Sequence, residues 1–359
     1  MRRLWQGELR GALAYNALIG SDTGQPVDCH SESAGIGAQF LRGCLETMGH
    51  RIWGRDHGVP MIQPLSRLSA GGGVMATAFG SAYDGEYDHT APIIHRADQI
   101  ESLNLSPTLE DGFIPQALEV IRYVVDETEG KVPLQMYNAG GPMDIASMVL
   151  YDTELLTALY THPKQVHRLL QACTDLFIEF YRAQRELVPE WSPAIAEDMY
   201  IPADQGILCG EDWLATMSPE TAMEFEVPYM NQISDAFGGL AIHSCGALMH
   251  QFDLLKDHIR NLRGFYFNAG TTSFEVAVDK FRGTDVVLMP RWDVNKPFRY
   301  ASRLDFVRKL LAVKTDDITV YLIASFPEDP MVPRERDPAA VSVEIIEYIE
   351  GVKEERGWP

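Results

Sequence analysis

The sequence predicts a single α/β barrel of the (β/α)8 type, a TIM barrel, with an N-terminal helical and irregular extension. Three observations predict it. Short apolar runs rich in Val, Ile, Leu and Tyr alternate with amphipathic helical stretches through the last two-thirds of the chain, the pattern of a parallel sheet wrapped by helices. No GxGxxG or Walker-type glycine loop follows any of those runs, which disfavours an open nucleotide-binding sheet. Residues able to bind metal, accept a proton or hold an anion gather where the strands would end, and barrels build their sites there.

In chain order, the first hundred residues are the least regular. Gly71-Gly72-Gly73 and the polar segment 81–90 read as loops or a covering element. The runs at 132–137, 206–209, 240–243, 264–267, 286–289 and 318–324 are predicted as buried strands. Thr161-His162-Pro163 opens a helix with proline in its first turn, and Val166, Leu170, Cys173, Phe177 and Phe180 form its apolar stripe. Ser218-Pro219-Glu220 opens another, with Ser218 as N-cap and Phe225, Tyr229, Ile233 and Phe237 on one face. Pro228 inside that stripe predicts a kink or a break. Asp337-Pro338 starts the last helix, which is expected to bury Val341, Ile345, Ile349 and Val352. Residues 1–70 are expected to form the extension, packed on a barrel formed by residues 71–359.

The chain of 359 residues carries 30 Lys+Arg against 51 Asp+Glu, a formal net charge of −21. Such a surface repels phosphates and disfavours nucleic acid or an anionic membrane as partner. Hydrophobic residues at 46% and charged residues at 23% are those of an ordinary globular protein. The five cysteines, Cys29, Cys44, Cys173, Cys209 and Cys245, are odd in number and include no CxxC pair, so a disulfide framework is not expected. Glu8 and Arg10 break the apolar residues of the N-terminus, and no run of about 18 apolar residues occurs. The expectation is a soluble cytoplasmic protein.

The predicted strand ends carry Asn138 with the glycines and proline that follow it, Glu211-Asp212, His243-Ser244-Cys245-Gly246, Asn268, Arg291-Trp292-Asp293 and Ser325. Residues i and i+2 of an extended chain point to the same side. His243 and Cys245 can therefore converge on one metal ion, and a nitrogen–sulfur pair suits Zn²⁺. The bland reading makes Cys245 a small buried hydrophobe and His243 a hydrogen-bonded core residue. A catalytic zinc needs a third protein ligand, for which Glu211 ranks first, Cys209 second and His30 third. Glu211 and Asp212 are also the candidate general bases. Arg291 could grip a carboxylate or sulfonate, or pair with Asp293 as a surface ion pair. Asn138, Asn268, Arg291 and Asp293 are the candidate substrate-binding groups. The polar cluster at 83–89, including Tyr83, Asp84, Glu86 and His89, is a solvated loop or a substrate-facing one.

Several segments together resemble the uroporphyrinogen decarboxylase superfamily. They are the 141–146 segment Gly-Pro-Met-Asp-Ile-Ala, Glu154-Leu155-Leu156, the helix opening at His162-Pro163, Glu211-Asp212 with Met217-Ser218-Pro219-Glu220, the stretch from Phe225 to Tyr229, and Ile242-His243-Ser244-Cys245-Gly246. The resemblance covers about residues 70–350 and implies a (β/α)8 barrel with its site at the carboxyl ends of the strands. The decarboxylases proper carry an N-terminal RQAGR-type motif, which this chain lacks; Arg2, Arg3, Arg10, Arg42 and Arg51 are scattered. His243 and Cys245 match the zinc-binding pair of the superfamily's cobalamin-dependent methyltransferases. A second cysteine after the last strand is missing, since no cysteine follows Cys245. The resemblance thus implies a zinc-dependent methyltransferase acting between a small substrate and a corrinoid (cobalamin) carried on a separate protein, with a small-substrate decarboxylase as the alternative. A homodimer is left open.

Overall fold

The computed structural model describes residues 2–16, 73–84, 89–137, 140–195, 199–292, 300–323 and 338–359. Eight parallel strands organise it: β1 (Leu13–Asn16), β2 (Leu134–Gln135), β3 (Trp191–Ser192), β4 (Ile207–Gly210), β5 (Leu240–Ser244), β6 (Leu262–Asn268), β7 (Val287–Arg291) and β8 (Thr319–Ile323). Six of them form one sheet in the order β1-β8-β7-β6-β5-β4. The pair β2–β3 continues it, because the Leu208 amide donates to the Pro193 carbonyl at 2.9 Å and Gly140 bridges in parallel to Gly210. The strands therefore follow one another in chain order, with the last beside the first. That is the cyclic order of an α/β barrel.

These runs become strands because both of their faces are covered. Ile207, Leu208 and Cys209 of β4, Phe265 and Phe267 of β6, and Val320, Tyr321 and Leu322 of β8 are wholly buried. Continuous apolar sequence is what a parallel strand with helices outside and a packed barrel inside demands.

The helices follow their sequence signals. The helix Pro163–Leu187 buries Val166, Leu170, Cys173, Phe177 and Phe180 completely. Ser218 Oγ accepts the Thr221 amide at 3.3 Å and caps Pro219–Phe225. Helix then stops at Glu226 and resumes as Val227–Phe237, because Pro228 has no N–H to offer the preceding turn. The last helix, Pro338–Arg356, buries Val341, Ile345 and Ile349, while Val352 is only partly covered.

At the end of the barrel away from the strand tips, Lys314 fastens the chain's two ends. Its Nζ donates to the Gly11 carbonyl at 2.6 Å and the Thr315 carbonyl at 3.2 Å, and it lies 3.8 Å from the centre of the Trp358 ring. Trp358 in turn donates to Asp316 Oδ1 at 2.6 Å. Burial lowers the Lys314 ammonium to about 8. Gly11 permits this contact: its φ is +81°, and a Cβ there would collide with the Asp316 carbonyl.

Three expectations change. The segment 81–90 takes part in a short antiparallel strand pair, Ala82–Asp84 with His89–Ala91, which its polar composition did not announce. The run 132–137 shortens to the two residues of β2, since Pro133 cannot donate to a ladder. Within the expected extension 1–70, residues 13–16 are an edge strand of the main sheet. His30, Cys29, Cys44, Glu86, Asn138, Asp293 and Ser325 lie outside the described residues. Among the described residues no helix is long and apolar enough to cross a membrane.

Candidate functional site

The carboxyl ends of β4, β5, β6 and β7 meet around His243. In the parallel register His243 lies opposite Tyr266, Tyr266 opposite Met289, and Asn268 opposite Arg291. Because facing residues of neighbouring parallel strands project to the same side, His243 and Tyr266 share one face. Two residues beyond Met289, Arg291 joins them.

His243 is oriented by Tyr266. Its Nδ1 lies 3.1 Å from the Tyr266 carbonyl, and a carbonyl can only accept, so the ring proton sits on Nδ1 and Nε2 keeps its lone pair. The rings of His243 and Tyr266 pack with centroids 4.4 Å apart. Burial lowers the imidazole's affinity for a second proton, with Asp212 acting in the opposite sense. The free Nε2 stands 3.3 Å from Cys245 Sγ. Arg291 reaches the same thiol, with Nη2 3.9 Å from Sγ.

The third group is Asp212. One ligand atom each from Asp212, His243 and Cys245 lie within 4.8 Å of one another. Asp212 Oδ1 accepts the Cys245 amide at 2.6 Å, which ties the tip of β4 to the tip of β5. The loop after Cys245 is held from β6: Thr271 Oγ1 donates to the Cys245 carbonyl at 3.1 Å, and Thr272 Oγ1 to the Gly246 carbonyl at 3.1 Å.

Glu211, ranked first as third ligand from sequence, points elsewhere. Its backbone amide donates to the His243 carbonyl at 2.8 Å, so its side chain turns into the interior, where it is wholly buried. There Cys209 Sγ donates to Glu211 Oε1 at 3.3 Å, and the Glu226 carboxyl hydrogen-bonds to it. That contact requires one of the two acids to hold a proton. Burial, then Glu226, then Asp144 push Glu211 well above the usual carboxylate range. Burial lifts Glu226 to about 8, and burial with Asp212 and Glu226 lifts Asp144. Three acids this close cannot all ionise out of water. Gly141 is needed beside them, because a Cβ there would collide with Glu211 Oε1 and the Gly210 carbonyl.

Asn268, expected to bind substrate, is wholly buried and shapes a turn: Oδ1 accepts the Gly270 amide at 2.8 Å, and its carbonyl accepts the amides of Thr271 and Thr272. The residues that sequence reasoning missed are Tyr266, set between Phe265 and Phe267 in an apolar run, and the threonines that follow β6.

The uroporphyrinogen decarboxylase (URO-D) family profile matches residues 73–288. A curated uroporphyrinogen decarboxylase from Anaeromyxobacter dehalogenans is 26% identical over 150 residues, which span 40% of this chain and 38% of that protein. The match therefore covers well under half of the relative's length. Among solved structures, a methyltransferase from Methanosarcina mazei superposes with a TM-score of 0.63 at 13% identity, over 97% of this chain and 96% of that one. This likeness carries the fold: both chains are TIM barrels.

Proposed function

We propose, for a chain that belongs to the uroporphyrinogen decarboxylase family, that it is a zinc-dependent methyltransferase moving a methyl group between a small substrate and a corrinoid on a partner protein. The observation that carries the reading is the convergence of Asp212, His243 and Cys245. The donor set passes a test of fit for zinc. Bonds of about 2.0–2.3 Å at tetrahedral angles place neighbouring ligand atoms about 3.5 Å apart, and Nε2 and Sγ stand 3.3 Å apart. The outer nitrogen of the histidine is already engaged by a carbonyl, as metal-bound histidines require.

Bound there, zinc would supply a Lewis acid that keeps a coordinated thiol or alcohol deprotonated near neutral pH. The chain's own groups do the rest. Asp212, His243 and Cys245 would hold the ion, and the Tyr266 carbonyl keeps the imidazole proton on Nδ1. Asp212 also fixes the Cys245 loop through its amide, and Arg291 orients an anionic part of the substrate beside the thiol. The neutral acids beneath, Glu211 and Glu226, leave Asp212 as the carboxylate that balances the metal's charge. A corrinoid carried by a partner protein would supply the methyl-carrier chemistry.

A second reading, a decarboxylase of a small carboxylated substrate, draws on the curated relative and would use Arg291 and the carboxylates without metal. One experiment separates them: zinc content, methyl transfer with a methylated corrinoid, and CO₂ release, each for wild type and Cys245→Ala. Methyl transfer predicts stoichiometric zinc that is lost together with activity in the variant. Wild type that holds no zinc yet releases CO₂ replaces this reading with the lyase.

A further inference from the structure

Tyr266 is only 1% exposed, yet it makes a contact that neither a core aromatic nor the orientation of His243 calls for. Arg291 Nη1 donates to its hydroxyl at 3.0 Å, and the guanidinium carbon lies 5.4 Å from the centre of its ring. A different nitrogen of the same guanidinium, Nη2, lies 3.9 Å from Cys245 Sγ. The phenol thus sets where the fork points. From these contacts we infer that Tyr266 and Arg291 build an oxyanion subsite beside Cys245, with Tyr266 as the positioning residue. Its ligand class is a small molecule whose carboxylate or sulfonate meets Arg291 while its reacting end lies at the Cys245–His243 pair.

The physical case is one of entropy and geometry. An arginine free to rotate spreads its charge over many rotamers, and only a held guanidinium presents its donors as a fork. The Tyr266 hydroxyl supplies that hold from the strand beside β7, opposite Met289 and two residues before the position that faces Arg291. Removing the hydroxyl leaves both the Tyr266 carbonyl and the ring against His243, so Tyr266→Phe removes the contact with the arginine and keeps those with the imidazole.

The inference rests on the reading of this site as the substrate site, but its test needs neither zinc nor turnover, so the two can fail separately. Metal-free protein is alkylated with iodoacetate and, in parallel, with iodoacetamide, and modification of Cys245 is followed by peptide mass spectrometry. In each reaction the thiolate sulfur forms a bond to the CH₂ carbon and iodide leaves. Both reagents attack the same thiolate, so the ratio of their rates cancels its abundance and reads the local preference for an anion.

A held cation about 4 Å away in a water-like medium should raise that ratio about fivefold over the urea-unfolded chain. Arg291→Gln should return it to the unfolded value, and Tyr266→Phe should lose at least about half of the preference. Thermal unfolding reports whether each variant folds. If Tyr266→Phe does not fold, Arg291→Lys carries the test: it keeps a cation without the fork, and its ratio should also fall below wild type. A wild-type ratio equal to that of the unfolded chain overturns the subsite. A Tyr266→Phe or Arg291→Lys ratio equal to wild type overturns the positioning role.

Discussion

Asp212→Asn and Glu211→Gln form a matched pair that decides which neighbouring carboxylate belongs to the proposed metal site. Asp212 offers an oxygen within 4.8 Å of both the His243 and Cys245 donors and accepts the Cys245 amide at 2.6 Å. Asparagine retains an oxygen for that amide, so the loop keeps its shape and only the ligand's charge is lost. Losses of this kind weaken metal affinity about 10–100-fold, or about 1.4–2.8 kcal/mol. Asp212→Ala should be worse, because it also removes a charge-assisted hydrogen bond worth about 1.5–3 kcal/mol. Glu211 is wholly buried against Cys209 and Glu226 and does not reach the donors, so Glu211→Gln should change zinc affinity by less than about threefold, well short of a ligand loss. Competition against a chromophoric zinc chelator near neutral pH measures all three. If Glu211→Gln loses more affinity than Asp212→Asn, the assignment of Asp212 is wrong and Glu211 is the ligand.

Three further outcomes follow from the same contacts. Glu226 is raised by burial to about 8 from an ordinary 4.5, so its ionisation burdens the folded state as pH rises between those values. Thermal melts should show Glu226→Gln gaining on wild type across that window, and parallel curves would refute the burial argument. Lys314 is lowered from 10.5 to about 8; the unfolded chain binds the extra proton between those values, so wild type should gain stability relative to Lys314→Met as pH climbs from about 8 to 10.5. A constant offset between their denaturation curves would count against it. Ser218→Ala removes the cap on the Thr221 amide and should cost about 1 kcal/mol in urea unfolding, whereas no change would show that solvent caps that helix equally well.

The barrel was legible because buried parallel strands write themselves as unbroken apolar runs. Ile207 to Cys209 and Val320 to Leu322 cannot belong to a half-exposed sheet. What escaped was short or polar: Trp191–Ser192 is a two-residue strand, too brief for any period to show, and the antiparallel pair of Ala82–Asp84 with His89–Ala91 has little apolar sequence to announce it. In the site, the alternate spacing of His243 and Cys245 was readable, since strand geometry fixes which way such residues face. The choice between Glu211 and Asp212 was not. It depends on how β4 ends, with Glu211 at φ −141° and ψ 63° before a tight turn over Asp212–Ala215, and that bend is a tertiary outcome. Tyr266 was hidden for a related reason: its partnership with His243 exists only through the β5–β6 register.

The pairing of Leu13 with Val320 also has a consequence for how the protein is made. During synthesis β1 leaves the ribosome long before its ladder partner β8. The sheet from β4 to β7 can assemble in order as each strand and helix emerges, since all its pairings are between sequence neighbours. The β1–β8 ladder must wait until every strand between them has been made, and contacts that distant in sequence are slow to form. Until then the β8-facing edge of β1 stays unpaired, the state in which chaperone capture and aggregation compete with folding.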